Sequence, residues 1–395
     1  MSCCRRKVII FQKLLRRSKW MSRMSSTGTK DASTGTPTNR DPLPVFMDQR
    51  VQTLLKQMTG LDIAKVMSFH MVRELKKPRI TLVTDDQLEE MQLKTIRKAV
   101  HLLNMPPVMN VEEPIVKVYR SDPEIAEALT HKFVFTDVAM GIKDRDRLVT
   151  VRDKDGTLRP ADSDEKRRGC QMFNPQPNRK LIMPKMFEPV HLEHLLNETN
   201  YRYILERACN QFEPDNGDFI RVCHRVYDHI SETRSFQSIR STRFFGPMAF
   251  YLSWNRNIDL LLIYMLQNQL LEDAINLLEL YQIINPNVDL LRPDIITIKE
   301  KVQPDDDEVV FTEFGEVDRE AMRKKGLRKI LNSSYLKNIK KDSEDVDKEK
   351  AKKQLVVLMK FCKQYARHQH AAELELTIQT YEDNLHPKET TEQSA

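Results

Sequence analysis

The stretch IDLLLIYMLQNQLLEDAINLLELYQII, from Ile258 to Ile284, is dense in leucine and isoleucine. It contains the longest apolar run of the chain, Leu260 to Leu266, which is closed by three consecutive amide side chains. A membrane-spanning helix needs roughly 18 or more apolar residues, so this run is too short to cross a bilayer. The stretch therefore predicts a pair of helices in the core of a predominantly helical protein.

The helical pattern extends back from this stretch to about Pro189, with a polar break at 213–217. Helix pairs of this length, joined by short polar turns, resemble tetratricopeptide-type hairpins, with Ala208 and Ala274 as candidate small residues at the crossings. Three units cannot be aligned at a fixed period of about 34 residues. Residues 189–287 therefore predict antiparallel helical hairpins rather than a regular solenoid.

Residues 46–188 have a different character. Runs rich in β-branched and aromatic residues occupy 132–138 and 147–152, and Asp155-Gly156 supplies a turn before a third short run. These runs predict a small antiparallel sheet among helices. The predicted fold class is α+β, predominantly α: helical hairpins with a small antiparallel β-hairpin region in the middle of the chain.

The chain after residue 287 divides into three parts. Residues 288–345 carry an acidic run followed by a basic run, which predicts a charged and partly disordered insertion. Residues 346–385 have the apolar periodicity of one C-terminal helix, and residues 386–395 are predicted to be a frayed tail.

The formal charge of +6 is concentrated at one end of the chain. Nine basic side chains precede the first acidic residue, Asp31, which leaves 54 basic against 57 acidic side chains in the remainder. An amphipathic segment that is rich in Arg and Ser and free of acids is typical of a mitochondrial transit peptide. We therefore interpret residues 1–30 as a transit peptide and residues 31–45 as a flexible linker. The alternative is a disordered basic tail that binds nucleic acid.

Glycine and cysteine usage excludes several classes of site. The chain has 10 glycines, and no two lie within five residues of each other, so neither a P-loop nor a dinucleotide-binding fingerprint can be written. The six cysteines include no Cys-x-x-Cys pair, which argues against a zinc ribbon and a disulfide framework. No cofactor and no small-molecule substrate are predicted.

Two histidines lie at a spacing that can share a metal. His191 and His194 are three residues apart on a predicted helix. No third ligand is in register with them, so two helix-surface histidines are the better interpretation. Cys223 beside His224 is interpreted as a small buried hydrophobic residue next to an imidazole, because catalytic pairs are assembled across a fold. We predict no catalytic residue and no metal site.

Two basic segments are candidates for contact with RNA. Residues 234–246 carry arginines without an acidic neighbour after Glu232, interleaved with Phe236, Phe244 and Phe245. Guanidinium groups bind phosphate through paired hydrogen bonds, and an aromatic ring can stack on a base. The alternative is core aromatics flanked by arginines that extend to solvent. The RNA-contact candidates, including those of the basic run at 319–341, are Arg234, Arg240, Arg243, Arg323, Lys324, Lys325, Arg328 and Lys329.

Several blocks, in order along the chain, resemble one family. They are residues 46–61 (FMDQRVQTLLKQMTGL), 133–137 (FVFTD), 211–215 (QFEPD), 240–246 (RSTRFFG) and 271–281 (LEDAINLLELY). Together they closely resemble the mitochondrion-specific small-ribosomal-subunit protein twenty-two family, from about residue 46 to 287 and again at 374–381. The stretch from about 290 to 341 is longer and more charged than is typical of that family.

The resemblance implies a function. It implies a non-enzymatic structural component of the mitochondrial small ribosomal subunit in the matrix, held by other small-subunit ribosomal proteins and by small-subunit rRNA, with no membrane partner. The slight acidity of residues 31–395 predicts mainly protein neighbours, with RNA contacted through local basic patches.

Two other functions are weighed against this one. A free helical-repeat protein that binds single-stranded organellar RNA would need a positive groove, yet residues 191–300 hold 10 basic and 15 acidic side chains. A matrix enzyme would need a phosphate loop, a metal cluster or a nucleophile motif, and the sequence supplies none of these motifs.

Overall fold

The computed structural model describes residues 40–68, 80–112, 117–126, 130–144, 146–288 and 348–385. The predicted transit peptide, most of the linker, the charged insertion beyond Val288 and the tail at 386–395 lie outside these ranges. Nothing in the structure therefore tests the predictions made for those segments.

The described residues form helices with one small sheet between them. The first helices are α1 (Pro42–Phe46), α2 (Gln49–Thr59), α3 (Ile63–Met67) and α4 (Asp85–Leu102). The sheet region contains β1 (Arg120–Ser121), α5 (Pro123–Ala126), β2 (Phe133–Thr136), β3 (Val149–Arg152), β4 (Thr157–Pro160) and α6 (Ser163–Phe173). The later helices are α7 (Pro189–Asn197), α8 (Tyr201–Gln211), α9 (Gly217–Thr233), α10 (Phe245–Trp254), α11 (Asp259–Gln267), α12 (Leu271–Ile284), α13 (Lys348–Tyr365) and α14 (His368–Leu385).

Helices α11 and α12 are the two helices predicted from the stretch at 258–284. Helix α12 lies at the centre of the helical core, where it packs against α2, α10, α11 and α13. Its apolar side chains point to all sides, and almost all of them are buried. A helix that is apolar all round must be covered all round, so the sequence of α12 fixes its central position. The predicted class, predominantly α with a small antiparallel sheet, is confirmed.

Four of these helices end in the same C-terminal capping motif, with a residue other than glycine at the left-handed position. After α7, α9, α10 and α11 a non-glycine residue adopts a left-handed conformation, with φ between 54° and 59°. In α11, for example, Gln269 N–H donates to the Leu266 carbonyl at 3.0 Å, and Leu270 N–H donates to the Met265 carbonyl at 2.9 Å. This pair of bonds is the Schellman motif, which usually takes glycine. The four residues are Thr199, Arg234, Arg256 and Gln269.

The sheet has four strands in the order β1-β4-β3-β2, and its strand pairs are antiparallel. Gly156 forms the turn between β3 and β4 with φ 75°, as the Asp155-Gly156 signal predicted. Helix α6 packs on one face and covers a small cluster of Val149, Val151, Ala161 and Cys170. The opposite face carries the half-exposed rings of Phe133 and Phe135.

The prediction of a single helix at 346–385 is wrong. Helix α13 ends at Tyr365 and α14 begins at His368, and the two helices pack against each other while α14 packs on α11. The break has a tertiary cause, because Arg367 N–H donates to the buried carboxylate of Asp259 at 3.2 Å. No local pattern of residues 346–385 could reveal that partner.

The predicted region boundaries remain predictions. The core of buried side chains includes Phe46, Leu54 and Leu55 from the first part of the chain together with the later helices. Helix α2 packs directly on α10 and α12. Side chains from both sides of residue 188 therefore contribute to this cluster.

Candidate nucleic-acid interface

The loop between α9 and α10 holds the basic segment predicted to contact RNA. Its aromatic side chains point inward: Phe236, Phe244 and Phe245 are almost completely buried. Gly246 allows the close packing, since a Cβ there would lie 2.1 Å from the sulfur of Met105. The rings therefore fill the core, as the alternative interpretation of this segment held, and they offer no face to a base.

Arg234 is the residue with left-handed backbone conformation that follows α9, and it is paired with an acid from a distant helix. Its guanidinium makes two hydrogen bonds to the Glu373 carboxylate on α14, of which the Nη2–Oε2 bond is 2.7 Å long. The hydrogen bonds from Arg234 lower the pKa of Glu373. This two-pronged geometry ties the loop to the C-terminal helices.

Arg240 is also paired within the chain. Its Nη2 donates to Oδ2 of Asp273 at 3.3 Å, and Asp273 lies buried on α12. Lys65 from α3 approaches the same loop and donates to the Gln237 carbonyl at 2.5 Å. Burial lowers the pKa of Lys65, and the positive charges of Arg202 and Arg240 lower it further. Three basic side chains from three parts of the chain, Lys65, Arg202 and Arg240, thus meet at this loop.

Arg243 differs from the other two arginines of the loop. Its guanidinium lies 4.9 Å from the centre of the Phe244 ring, a cation–π contact. Within the described ranges, no hydrogen bond or ion pair of Arg243 is present. It lines a cavity of about 260 Å³ together with Arg202, Glu206, Asn210, Ser241 and Thr242, and with apolar side chains from α3 and the end of α4.

Arg202 brings a second guanidinium to this cavity. It pairs with Glu206 on its own helix, with Nε–Oε1 at 2.9 Å, and donates to the Lys65 carbonyl at 2.9 Å. Arg202 and Arg240 each face an acid, whereas Arg243 adds a charge without an acidic partner in the described part of the chain. Glu206 also lines the cavity, but it pairs with Arg202, so the planar, always charged guanidinium of Arg243 is the group suited to bind a phosphate at the cavity edge.

The sequence could not identify Arg202 and Lys65 as members of this group. They lie far from the loop in sequence, on α8 and α3, and neither belongs to a basic run. Their shared location follows from packing alone. The second basic segment, Arg323, Lys324, Lys325, Arg328 and Lys329, lies outside the described residues.

The histidine pair is on the surface of α7. His191 and His194 are both more than half exposed, and each lies within 4 Å of a glutamate on the same helix, Glu188 and Glu198 respectively. In the ranges that the structure describes, no three His, Cys, Asp or Glu side chains are grouped so as to hold a metal ion. Likewise, none of the described helices is both long and apolar enough to cross a bilayer.

Cys223 and His224 lie in the packing between α9 and α10. Burial raises the pKa of the Cys223 thiol well above its usual value, which suppresses the reactive thiolate. The His224 ring stacks on Tyr251 with centroids 4.3 Å apart, and burial lowers its pKa to about 4. Cys223 and His224 therefore contribute to the packing of the core, with the thiol protonated and the imidazole neutral.

Comparison with known proteins identifies relatives over the helical core and the sheet. Residues 44–286 match the family described as mitochondrial 28S ribosomal protein S22. The chain is 37% identical over 257 residues to the bovine (Bos taurus) small ribosomal subunit protein mS22, a match that covers 65% of this chain and 71% of the relative. It is 36% identical over 244 residues to the mouse (Mus musculus) protein of the same name, covering 62% and 68%. The matched residues run from α1 to α12.

Proposed function

This chain belongs to the mitochondrial 28S ribosomal protein S22 family, and from that premise we propose that it is a structural component of the small ribosomal subunit in the mitochondrial matrix. Its role is to support assembly of the subunit, and thereby mitochondrial translation, by holding neighbouring ribosomal proteins and rRNA in place. It acts through binding and not through catalysis.

The family match over 44–286 is the observation that carries this proposal, since it spans the whole helical core up to α12. The geometry agrees with a scaffold. Distant segments are fastened together by ion pairs such as Arg50–Glu279 and Arg234–Glu373, so the surface that neighbours would contact is held in one arrangement.

For the rRNA contact we favour Arg243. Arg234 and Arg240 already share their charge with Glu373 and Asp273, which leaves less of it for a phosphate. The guanidinium of Arg243 lies over the ring of Phe244. Its hydrogen-bond donors have no partner among the described residues and lie beside the cavity. Contacts by Arg234, Arg240 and the basic group at 323–329 remain predictions of the sequence.

Sedimentation tests the structural role. The full-length chain with a C-terminal tag is expressed in mitochondria, and a matrix lysate is run on a sucrose gradient at physiological salt. We expect the chain in the small-subunit fractions, moving with rRNA and shifted to lighter fractions when the rRNA is digested. A chain that stays at the top of the gradient, as a free protein would, contradicts the proposal.

Salt titration tests the role of Arg243. Binding of the full chain to deproteinised small-subunit rRNA is measured at several salt concentrations for wild type, Arg243→Gln and the control Arg207→Gln. Loss of one phosphate contact should reduce the slope of log affinity against log salt by about 1. Arg207 already donates to the Asn178 carbonyl, so its variant should keep the wild-type slope. Equal slopes for all three proteins would remove Arg243 from the interface.

A further inference from the structure

Strand β2 forms one edge of the sheet. It pairs with β3 on one side, and no strand in the described part of the chain pairs with its other side. An exposed strand edge offers unpaired N–H and C=O groups to any extended chain, and natural proteins usually blunt such an edge with charges, proline or a cover. The four residues of β2 are Phe133, Val134, Phe135 and Thr136, and none of them is charged.

The register shows which backbone groups point outward. Asp137 N–H donates to the Leu148 carbonyl at 3.1 Å, which makes these two residues a hydrogen-bonded pair. Because such pairs alternate in an antiparallel ladder, Phe135 and Phe133 are the next residues bonded to β3. The N–H and C=O groups of Val134 and Thr136 therefore face away from the sheet, in the direction of a further strand.

Side chains on both faces of β2 are open as well. Phe133 is 47% exposed and Phe135 is 54% exposed on the face opposite α6, while Val134 on the other face is 45% exposed. Apolar exposure on both faces of an edge strand suits an incoming strand, whose alternate side chains would cover the two faces in turn.

Helix α6 provides a wall on one side of this edge. Gly169 lies so close to β2 that a Cβ there would be 2.7 Å from Oγ1 of Thr136, and this buried hydroxyl has no hydrogen-bond partner among the described residues. Met172 and Phe173, one turn further along α6, are more than half exposed. Arg168 beside Gly169 is exposed and has no ion pair within the described ranges.

RNA fits this surface less well than a peptide does. The face with Phe133 and Phe135 also carries Arg152 and Arg120, but Asp122 binds both, at 3.0 Å from Arg152 and 2.6 Å from Arg120. The arginine charge is thus offset by the chain itself. The free backbone groups of Val134 and Thr136 are satisfied by a peptide strand in register, and bases would leave them unpaired.

We propose that the free edge of β2 receives an extended segment of a neighbouring small-subunit protein, one with alternating apolar side chains, which adds a fifth strand to the sheet. The proposal rests on the proposed function for its source of partners, because the assembled subunit supplies other proteins. Strand addition satisfies the outward backbone groups and covers Phe133, Phe135 and Val134 at once.

Hydrogen exchange of single amides tests the proposal. Exchange is measured by fragmentation mass spectrometry for the free full-length chain and for the chain in purified small subunits. The amides of Val134 and Thr136 should exchange at least about tenfold more slowly in the subunit, the factor expected from one added backbone hydrogen bond. The amides of Phe133 and Phe135, already bonded to β3, serve as internal controls and should be protected in both samples.

Other occupants give different results, and each overturns the proposal. Unchanged exchange at Val134 and Thr136 in a subunit that does contain the chain excludes strand addition and leaves the structural role standing. Protection that deproteinised small-subunit rRNA alone gives to the free chain assigns the edge to RNA. Protection that already appears in the concentrated free chain, together with a dimer by light scattering, assigns it to a second copy. Absence of the chain from the purified small subunit would contradict the proposed function instead.

A pair of variants separates the backbone from the side chain. Val134→Pro removes an N–H that points away from β3, so the ladder within the sheet keeps its bonds. Val134→Thr keeps the N–H and the β-branched shape. We expect Val134→Pro to reduce incorporation into the small subunit by at least about tenfold relative to Val134→Thr. Equal circular dichroism and melting of the free variants would show that both fold, and equal incorporation would contradict strand addition.

Discussion

Helix α12 and strand β2 are both rich in apolar side chains, yet the chain covers them to different extents. Packing of four other helices around α12 leaves its apolar side chains almost without contact with solvent. Strand β2 has β3 on one side, and its two phenylalanine rings are about half exposed. A helix satisfies its own backbone and needs only side-chain neighbours, whereas a strand needs a partner along each edge. The described residues therefore cover the helical core, whereas they leave one edge of β2 without a paired strand.

The largest difference is expected from truncating an apolar side chain in each region. Leu278→Ala on α12 should lower the free energy of unfolding by about 3 to 4 kcal/mol, because it leaves a cavity in a fully packed core. Leu148→Ala beside β3, where the side chain is mostly exposed, should cost less than about 0.5 kcal/mol. Urea unfolding of the two variants checks this, and similar costs would contradict the view that only the helical core is closed.

The ion pair between α2 and α12 should give the next largest effect. Glu279 is buried, and Nε of Arg50 donates to its Oε1 at 2.7 Å. Arg50→Met leaves the carboxylate without its partner and should cost about 2 to 3 kcal/mol by the same unfolding measurement, toward the lower end of values for fully buried pairs because Arg50 itself is half exposed.

The double variant Arg50→Met, Glu279→Met is the control for this pair. It removes both charges and should recover most of the loss, because two apolar side chains can pack where the pair was. A double variant as unstable as Arg50→Met would show that the cost came from lost packing of the Arg50 side chain rather than from the stranded charge.

Acid should weaken the two regions in different pH ranges. Burial lowers the pKa of His224 to about 4, so between about pH 6.5 and 4 the unfolded chain binds a proton that the folded helices refuse. Stability from this group is complete above pH 6.5 and falls as the pH drops toward 4, by up to about 2 kcal/mol after allowing for partial exposure. Thermal melts of wild type and His224→Phe across this range measure it, and parallel curves would exclude His224 as the cause.

In the sheet region, the corresponding group is Glu165 on α6, which titrates in a lower pH range. Burial raises the pKa of Glu165, but hydrogen bonds from Lys132 and Arg159 outweigh it and lower the pKa overall. Its contribution is present above the ordinary carboxyl range and is lost only at lower pH, as Glu165 takes up its proton in the folded state. His224→Phe should therefore flatten the upper part of the pH profile and leave the lower part unchanged.

Substitutions in the turns should change stability in opposite directions in the two regions. Gln269→Gly at the end of α11 should raise stability by about 0.5 to 1 kcal/mol, because glycine relieves the left-handed strain at φ 58°. Gly156→Ala in the sheet should lower it, since the new Cβ would lie 2.1 Å from the Asp122 carbonyl oxygen. Melting temperatures of the two variants that moved in the same direction would contradict this account.

Much of the fold could be predicted from local patterns. The spacing of Thr84 and Gln87 is that of a capping box, and at the start of α4 the side chain of Gln87 accepts from the Thr84 N–H. The β-branched runs and the Asp155-Gly156 turn located the sheet. These signals work because caps, turns and periodicity depend on residues a few positions apart.

The candidate site was harder to predict. The sequence marked Arg240 and Arg243 as equivalent, but Arg240 is committed to Asp273 on α12 and Arg243 to the ring of its neighbour. It did not mark Arg202, which lines the same cavity from α8. Charge runs show where basic side chains are, and their partners come from elements that lie far away in sequence.

The amino-acid sequence by itself determined the class of this protein, the position of its central helices and its family, because apolar periodicity, turn residues and ordered blocks are written along the chain. Packing between distant elements determined where the C-terminal helices are separated at Arg367 and, among the described residues, which arginine has no acidic partner and which edge of the sheet has no paired strand. The physical reason is that pairing and burial depend on contacts between residues far apart in sequence. The same local pattern is compatible with many different partners.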